Sequence, residues 1–169
     1  MIEPHKINEV SKKYADKNFR FRTFLRNRAD PDNLDRQFSD LHNEIFIRDA
    51  YDCSKCANCC KIYDTRIEQD DIPAIAEYLG QTESEFIEKF LVPDKEEAEG
   101  YIIKDKPCCF LEIDGKCRIY EVRPMVCKDF PHTKKPERLF SLLNIIRVAE
   151  DCPVVFEIIE RLKRIYRFK

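Results

Sequence analysis

The stretch that decides the reading is Cys53-Ser54-Lys55-Cys56-Ala57-Asn58-Cys59-Cys60. Cys53, Cys56 and Cys59 follow one another at intervals of two intervening residues, and Cys60 adds a fourth thiol at once. That interval lets successive thiolates turn inward on one metal centre, which a helix or a long strand does less well. Left to themselves, four thiolates so close together repel one another. Coordination to a cation, or to a cationic cluster core, removes that cost. Five more cysteines follow at looser spacing: Cys108, Cys109, Cys117, Cys127 and Cys152. They interleave with turn residues such as Asp114-Gly115 and Arg123-Pro124, as ligands carried on loops do.

The rest of the composition narrows the setting. The 169 residues suit one domain with an appended helical arm, and a hydrophobic content of 43% is enough to bury a core. The net charge is only −2, which predicts no strong pull toward nucleic acid or an anionic membrane. The opening Met1-Ile2-Glu3-Pro4-His5-Lys6 has no apolar run and no cleavage site, and no uncharged stretch approaches about 18 residues. The expectation is therefore a cytoplasmic chain with no membrane span. In a reducing compartment nine cysteines point to metal or redox chemistry rather than to disulfides.

Outward from the cluster the pattern is mainly helical. Phe19, Phe21, Phe24 and Leu25 sit among Arg20, Arg22, Arg26 and Arg28. A basic arm meeting RNA is one reading of this segment, and a solvated helix with one aromatic face is the commoner one. Asp30-Pro31 starts a helix, and Leu34, Phe38, Leu41 and Ile45 recur at helical spacing to about Asp49. A helix is predicted from Asp70 to Leu79, stopped by Gly80. Thr82-x-x-Glu85 is a capping box that opens a helix burying Phe86, Ile87 and Phe90, ended by Val92-Pro93. Glu96 to Gly100 reads as a charged loop, Tyr101 to Lys104 as a strand, and Cys109 to Ile113 as a second strand turned by Asp114-Gly115. A helix spans about Pro136 to Ala149. The last begins at Cys152-Pro153 and carries the stripe Val155, Ile158, Ile159, Leu162, Ile165 and Tyr166.

The expected fold is thus mainly α with a small β-hairpin (α+β), an irregular metal-stabilised cysteine core packed by helices. Its parts are an N-terminal helical arm over 1–49, a cysteine-cluster domain over 50–155 and a C-terminal helix over 153–169 packed on the core. The N- and C-terminal helices should pack together and bring Cys152 back to the 53–60 loop.

Two metals suit the cysteines. Zinc sites usually read as two CxxC pairs, each giving half a tetrahedron. Ferredoxin-type iron–sulfur binding reads C-x2-C-x2-C with a further Cys-Pro. Cys53, Cys56 and Cys59 have that triple spacing, and Cys152-Pro153 supplies a Cys-Pro at a helix start, where backbone N–H groups favour an anionic cluster. An iron–sulfur cluster, of the four-iron type, is the favoured cofactor and zinc the alternative.

Three blocks resemble the YkgJ-type cysteine cluster family, also described as a zinc- or iron-chelating domain. They are Cys53-x-x-Cys56-x-x-Cys59-Cys60; Pro107-Cys108-x-Phe110-Leu111 with Gly115-Lys116-Cys117-Arg118-Ile119-Tyr120-Glu121-x-Arg123-Pro124-x-x-Cys127-x-x-Phe130-Pro131; and Cys152-Pro153. The resemblance covers roughly residues 50–155. It implies that the metal ligands are Cys53, Cys56, Cys59, Cys60, Cys108, Cys117, Cys127 and Cys152. Cys109 departs from the pattern, which typically has Pro there. It reads as the ninth, non-ligating thiol, with an exchange of roles with Cys108 as the alternative. A related pattern occurs in flagellin lysine methylases, where it is linked to an iron–sulfur centre. This chain is much shorter than those.

Among the cations beside the cysteines, Arg118 and Arg123 are the candidates to offset the charge of a thiolate-bound centre and to donate hydrogen bonds to sulfur. His132 follows Phe130-Pro131, but a surface or hydrogen-bonded role suits it better than ligation. Asp70 and Asp71 read as helix N-terminal acids rather than an acid–base pair. There is no GxSxG, Walker loop, HExxH or dinucleotide fingerprint, and hence no catalytic motif. The functions in view are an iron–sulfur protein for electron transfer or redox sensing, a zinc-stabilised module that binds a protein partner, and, least supported, a metal-dependent protein-modifying enzyme.

Overall fold

Asp30 caps the helix that the sequence places after it: its side chain accepts a hydrogen bond from Asn33 N at 2.8 Å, with Pro31 in the first turn. The computed structural model describes residues 1–95 and 100–169. The chain divides into two units, Met1–Asp52 with Pro131–Lys169, and Cys53–Phe130.

The first unit is helical. It contains α1 (Ile7–Arg28), α2 (Pro31–Asn43), a π-helical turn (Glu44–Arg48), α7 (Arg138–Val148) and α8 (Pro153–Ile165). α1 packs on α7 and α8, and α2 packs on both as well, so the expected meeting of N- and C-terminal helices is observed. Leu34, Phe38, Leu41 and Ile45 are all buried, and each fully buried side chain of this kind contributes about 1.5–3 kcal/mol. The predicted continuation of α2 to Asp49 is present, but its last turn widens to the π form. Arg161 of α8 holds that turn, donating to Glu44 at 2.8 Å and to Asp49 at 2.7 Å. The stripe of α8 is buried through Leu162. Ile165 is instead 50% exposed, because the helix ends there.

The second unit contains α3 (Asn58–Ile62), β1 (Arg66–Ile67), α4 (Ile72–Tyr78), α5 (Glu83–Phe90), β2 (Leu91–Pro93), β3 (Tyr101–Ile103) and α6 (Met125–Asp129). The capping box of α5 forms as read: Glu85 N donates to Thr82 Oγ1 at 3.2 Å, and Thr82 N to Glu85 Oε2 at 2.8 Å. The strands make an antiparallel sheet in the order β1-β3-β2. The chain is therefore mainly α with a small β part. Cys109 to Ile113 is not a strand. The turn at Asp114-Gly115 does form, but it closes with one isolated bridge, Leu111 to Cys117. The charged stretch Glu96–Gly100 falls outside the described residues apart from Gly100, whose carbonyl accepts from Asp94 N.

One apolar cluster anchors this unit. Ile67, Ile72, Ile75, Phe86, Phe110 and Ile119 are its most buried members, and Cys108, Cys109 and Cys117 pack against its edge. The Phe110 ring lies 5.1 Å from Phe90 and 6.4 Å from Phe86. A side chain fixed in this way fixes the loop on either side of it, which carries the cysteines.

Candidate metal centre

The first block of cysteines is shaped by backbone hydrogen bonds. Cys53 O accepts from Cys56 N at 3.0 Å and from Ala57 N at 2.9 Å, closing the CxxC turn. Ala57 takes a left-handed conformation, and α3 starts after it with Cys59 and Cys60 in its first turn. Their Sγ atoms are 3.9 Å apart. Lys61 Nζ donates to Cys56 O at 3.2 Å.

The later cysteines are pinned to this block and to the core. Cys108 N donates to Cys60 O at 2.8 Å, and Arg118 N donates to Phe110 O at 2.8 Å. Gly115 sits at the tip of the bridge with φ +86°, and a Cβ there would lie 2.4 Å from Ser54 O, inside the CxxC turn. Glycine is required by both the backbone conformation and the close approach. Cys127 lies in α6, whose N-terminus is capped from a distance: Met125 N donates to Asp71 Oδ1 at 3.1 Å. Asp71 also accepts from Glu68 N at 3.4 Å in its own capping box.

These constraints bring Cys60, Cys108, Cys117 and Cys127, one from each of four segments, into one electrostatic neighbourhood. The Cys60 thiol is pushed up by its hydrogen bond with Cys59, by burial and by the charges of Cys59 and Cys108. Burial raises Cys117, and the charges of Cys60 and Cys108 add to it. Burial pushes Cys127 up to about 12, with Cys60, Cys108 and Cys117 adding. Cys108 moves the other way, to about 7, because Cys109 donates to it and the Phe110 and Leu111 N–H groups support its anion. Cys109 is raised in turn. A set of half-buried thiols that resist ionising together gains most from a cation that takes the place of their protons.

Arg123 stands near Cys117 and Cys127. Its charge favours the thiolates of Cys117 and Cys127, and it is held by a 2.9 Å bond to Tyr120 O and by stacking 3.6 Å from the Tyr120 ring centroid. Arg118 stacks 5.3 Å from the Phe110 ring, and its charge favours the Cys109 thiolate.

Of the other predicted ligands, Cys59 adjoins Cys60 through the 3.9 Å contact of their sulfurs. Cys53 is exposed and Cys56 half-buried, on the turn that precedes α3. Cys152 is buried at the start of α8 and belongs to the helical unit, as does His132. Among the described residues no three His, Cys, Asp or Glu side chains are drawn into a closed coordination shell, and all nine cysteines are outside disulfides. Asp71, Phe110 and Ser54 escaped the sequence reading as parts of the site. Only Phe110 had a signal, its place in the resembling block.

The thiol-only donor set fits zinc or an iron–sulfur core. Comparison with known proteins agrees. Residues 52–153 match the family model "CxxCxxCC: Putative zinc- or iron-chelating domain". The uncharacterized protein MJ0661 of Methanocaldococcus jannaschii is 33% identical over 89 residues, 50% of this chain and 46% of that protein. The chain thus spans about half the length of the curated relative it matches. No solved structure matches the chain significantly. No helix among the described residues is long and apolar enough to cross a membrane. With the family model covering more than half its length, the chain belongs to the CxxCxxCC family of zinc- or iron-chelating domains.

Proposed function

We propose that this chain is an iron–sulfur protein serving electron transfer or redox sensing, in which Cys60, Cys108, Cys117 and Cys127 form the heart of the ligand set. The single observation that carries this reading is the gathering of those four thiols, each from a different segment, beside the fixed charge of Arg123. Cys53, Cys56 and Cys59 add the C-x2-C-x2-C spacing of cluster binding. Bound here, such a cluster supplies one-electron chemistry. The chain's own part is to hold the sulfurs, to keep them half out of water through Phe110 and Ile119, and to offset their charge through Arg123 and Arg118.

A zinc-stabilised interaction module is the second reading. Its support is that Cys108 N is bonded to Cys60 O, so that thiols from two separate turns are held side by side, as each half of a zinc tetrahedron requires. Purification without oxygen, followed by a visible spectrum and metal analysis, separates the two. A brown protein absorbing near about 400 nm with bound iron and sulfide is the expected result. A colourless protein with stoichiometric zinc overturns the iron–sulfur reading in favour of the second. A chain that takes up neither overturns both.

A further inference from the structure

The balanced net charge of −2 conceals a segregation. Helix α1 carries seven Lys and Arg against Glu9 and Asp16, and residues 161–169 carry five and no acid. In the helical unit these two segments come together. The rings of Phe21, Phe24, Tyr166 and Phe168 pack with centroids 5.1–6.3 Å apart, laying the end of the chain along α1. A groove of roughly 420 Å³ opens beside them, lined by Lys17, Glu160, Arg164, Arg167, Phe168 and Lys169. Its acid is already satisfied, since Lys163 Nζ donates to Glu160 at 2.5 Å and to Asn18 at 2.5 Å from a buried position.

The basic groups continue along one side of α1. Lys17, Arg20, Phe24 and Arg28 recur at spacings of three and four and so share a face. Arg28 lies 6.0 Å from the Phe24 ring centroid. Lys17 to Arg28 covers about 16 Å of helix at about 1.5 Å per residue. Arg20, Arg167 and Lys169 make no ion pair among the described residues.

We infer that this surface binds single-stranded nucleic acid through its phosphate backbone. Four of the cations are arginines, whose planar guanidinium matches phosphate in a bidentate way. The half-buried rings of Phe24 and Phe168 lie among them, and an aromatic flanked by cations is the arrangement that takes a strand without reading its sequence.

Fluorescence anisotropy of the full chain with a labelled 20-nucleotide oligo(U), and with oligo(dT), over a range of salt tests this. Saturable binding is expected, with a log–log salt slope near about −3 for four phosphate contacts. The double variant Arg164→Glu/Arg167→Glu should weaken binding at least about tenfold and flatten the slope by about 1.4 units. The double variant Lys89→Glu/Lys116→Glu makes the same charge change in the other unit and should leave binding within about twofold of wild type. Circular dichroism confirms that both variants fold. Equal losses from the two variants, no saturable binding near 50 mM salt, or capture by phosphatidylserine vesicles without oligonucleotide binding would each overturn the inference, the last giving the surface to a membrane.

Discussion

The two units solve the problem of a stable interior differently. The helical unit buries whole faces of Leu, Ile, Val and Phe, and even its buried Lys163 and half-buried Arg161 are matched by acids. The Cys53–Phe130 unit buries one small apolar cluster and lines its edge with half-buried thiols that repel one another when ionised. An interior made of hydrocarbon needs nothing from outside. An interior edged with thiols is completed by a metal, whose binding free energy then becomes folding free energy.

The largest expected effect follows directly. Stripping the metal with a chelator should cost the Cys53–Phe130 unit on the order of 10 kcal/mol. Hydrogen exchange would show its amides losing protection while those of α1, α2, α7 and α8 keep theirs. Cys127→Ser should lower metal occupancy in the same direction, and Cys109→Ser should not. Uniform loss of protection across both units would erase the contrast.

Next in size is a matched pair of core deletions. Phe38→Ala and Phe110→Ala each remove a fully buried ring and should each cost about 3–5 kcal/mol. Only Phe110→Ala should also release metal, because Phe110 separates Cys109 from Leu111 and anchors that loop. Denaturant melts with metal analysis on each variant check this. Equal metal content in the two would mean that the loop is held by something other than its aromatic anchor.

Gly115→Ala should cost about 2–4 kcal/mol, from a strained positive φ and from the collision with Ser54 O. Asp71→Ala should cost about 1 kcal/mol as a lost cap. It should weaken metal binding with it, and Asp71→Asn, which keeps an acceptor at Oδ1, should restore most of that loss. Calorimetric melts and competition with a metal indicator measure both quantities.

These last two sites show where the sequence was legible. Helices whose signals are local were readable: Asp30-Pro31, the Thr82–Glu85 box and the stripe of α8 need only neighbours within a few turns. The cysteine blocks were readable for the same reason. Asp71 looked like an ordinary helix-start acid because its second partner, Met125 N, is 54 residues away. The Cys109–Ile113 strand was misread because Phe110 turns into the core instead of alternating across a sheet. The basic residues of α1 were read as a solvated helix, because the residues they meet at 161–169 are distant in the chain and no local signal joins the two segments.

The smallest effect belongs to the helical unit and tests its independence of the thiols. His42 Nδ1 lies 2.7 Å from Thr133 Oγ1, and its ring packs 4.5 Å from Phe46. Burial, with the nearby Lys134 charge, holds its pKa below the usual histidine value of 6.5. The folded unit therefore binds fewer protons than the unfolded chain at mildly acid pH. Stability that is fully present above pH 6.5 must fall as the pH drops below it, toward the lowered folded value. Melting temperatures of wild type and His42→Phe between pH 7.5 and pH 5 should diverge in slope, with the wild type losing more. Because His42, Phe46 and Thr133 all lie in the helical unit, the difference in slope should be the same with and without bound metal. A slope difference that vanishes when metal is removed would show that the two units do not respond separately.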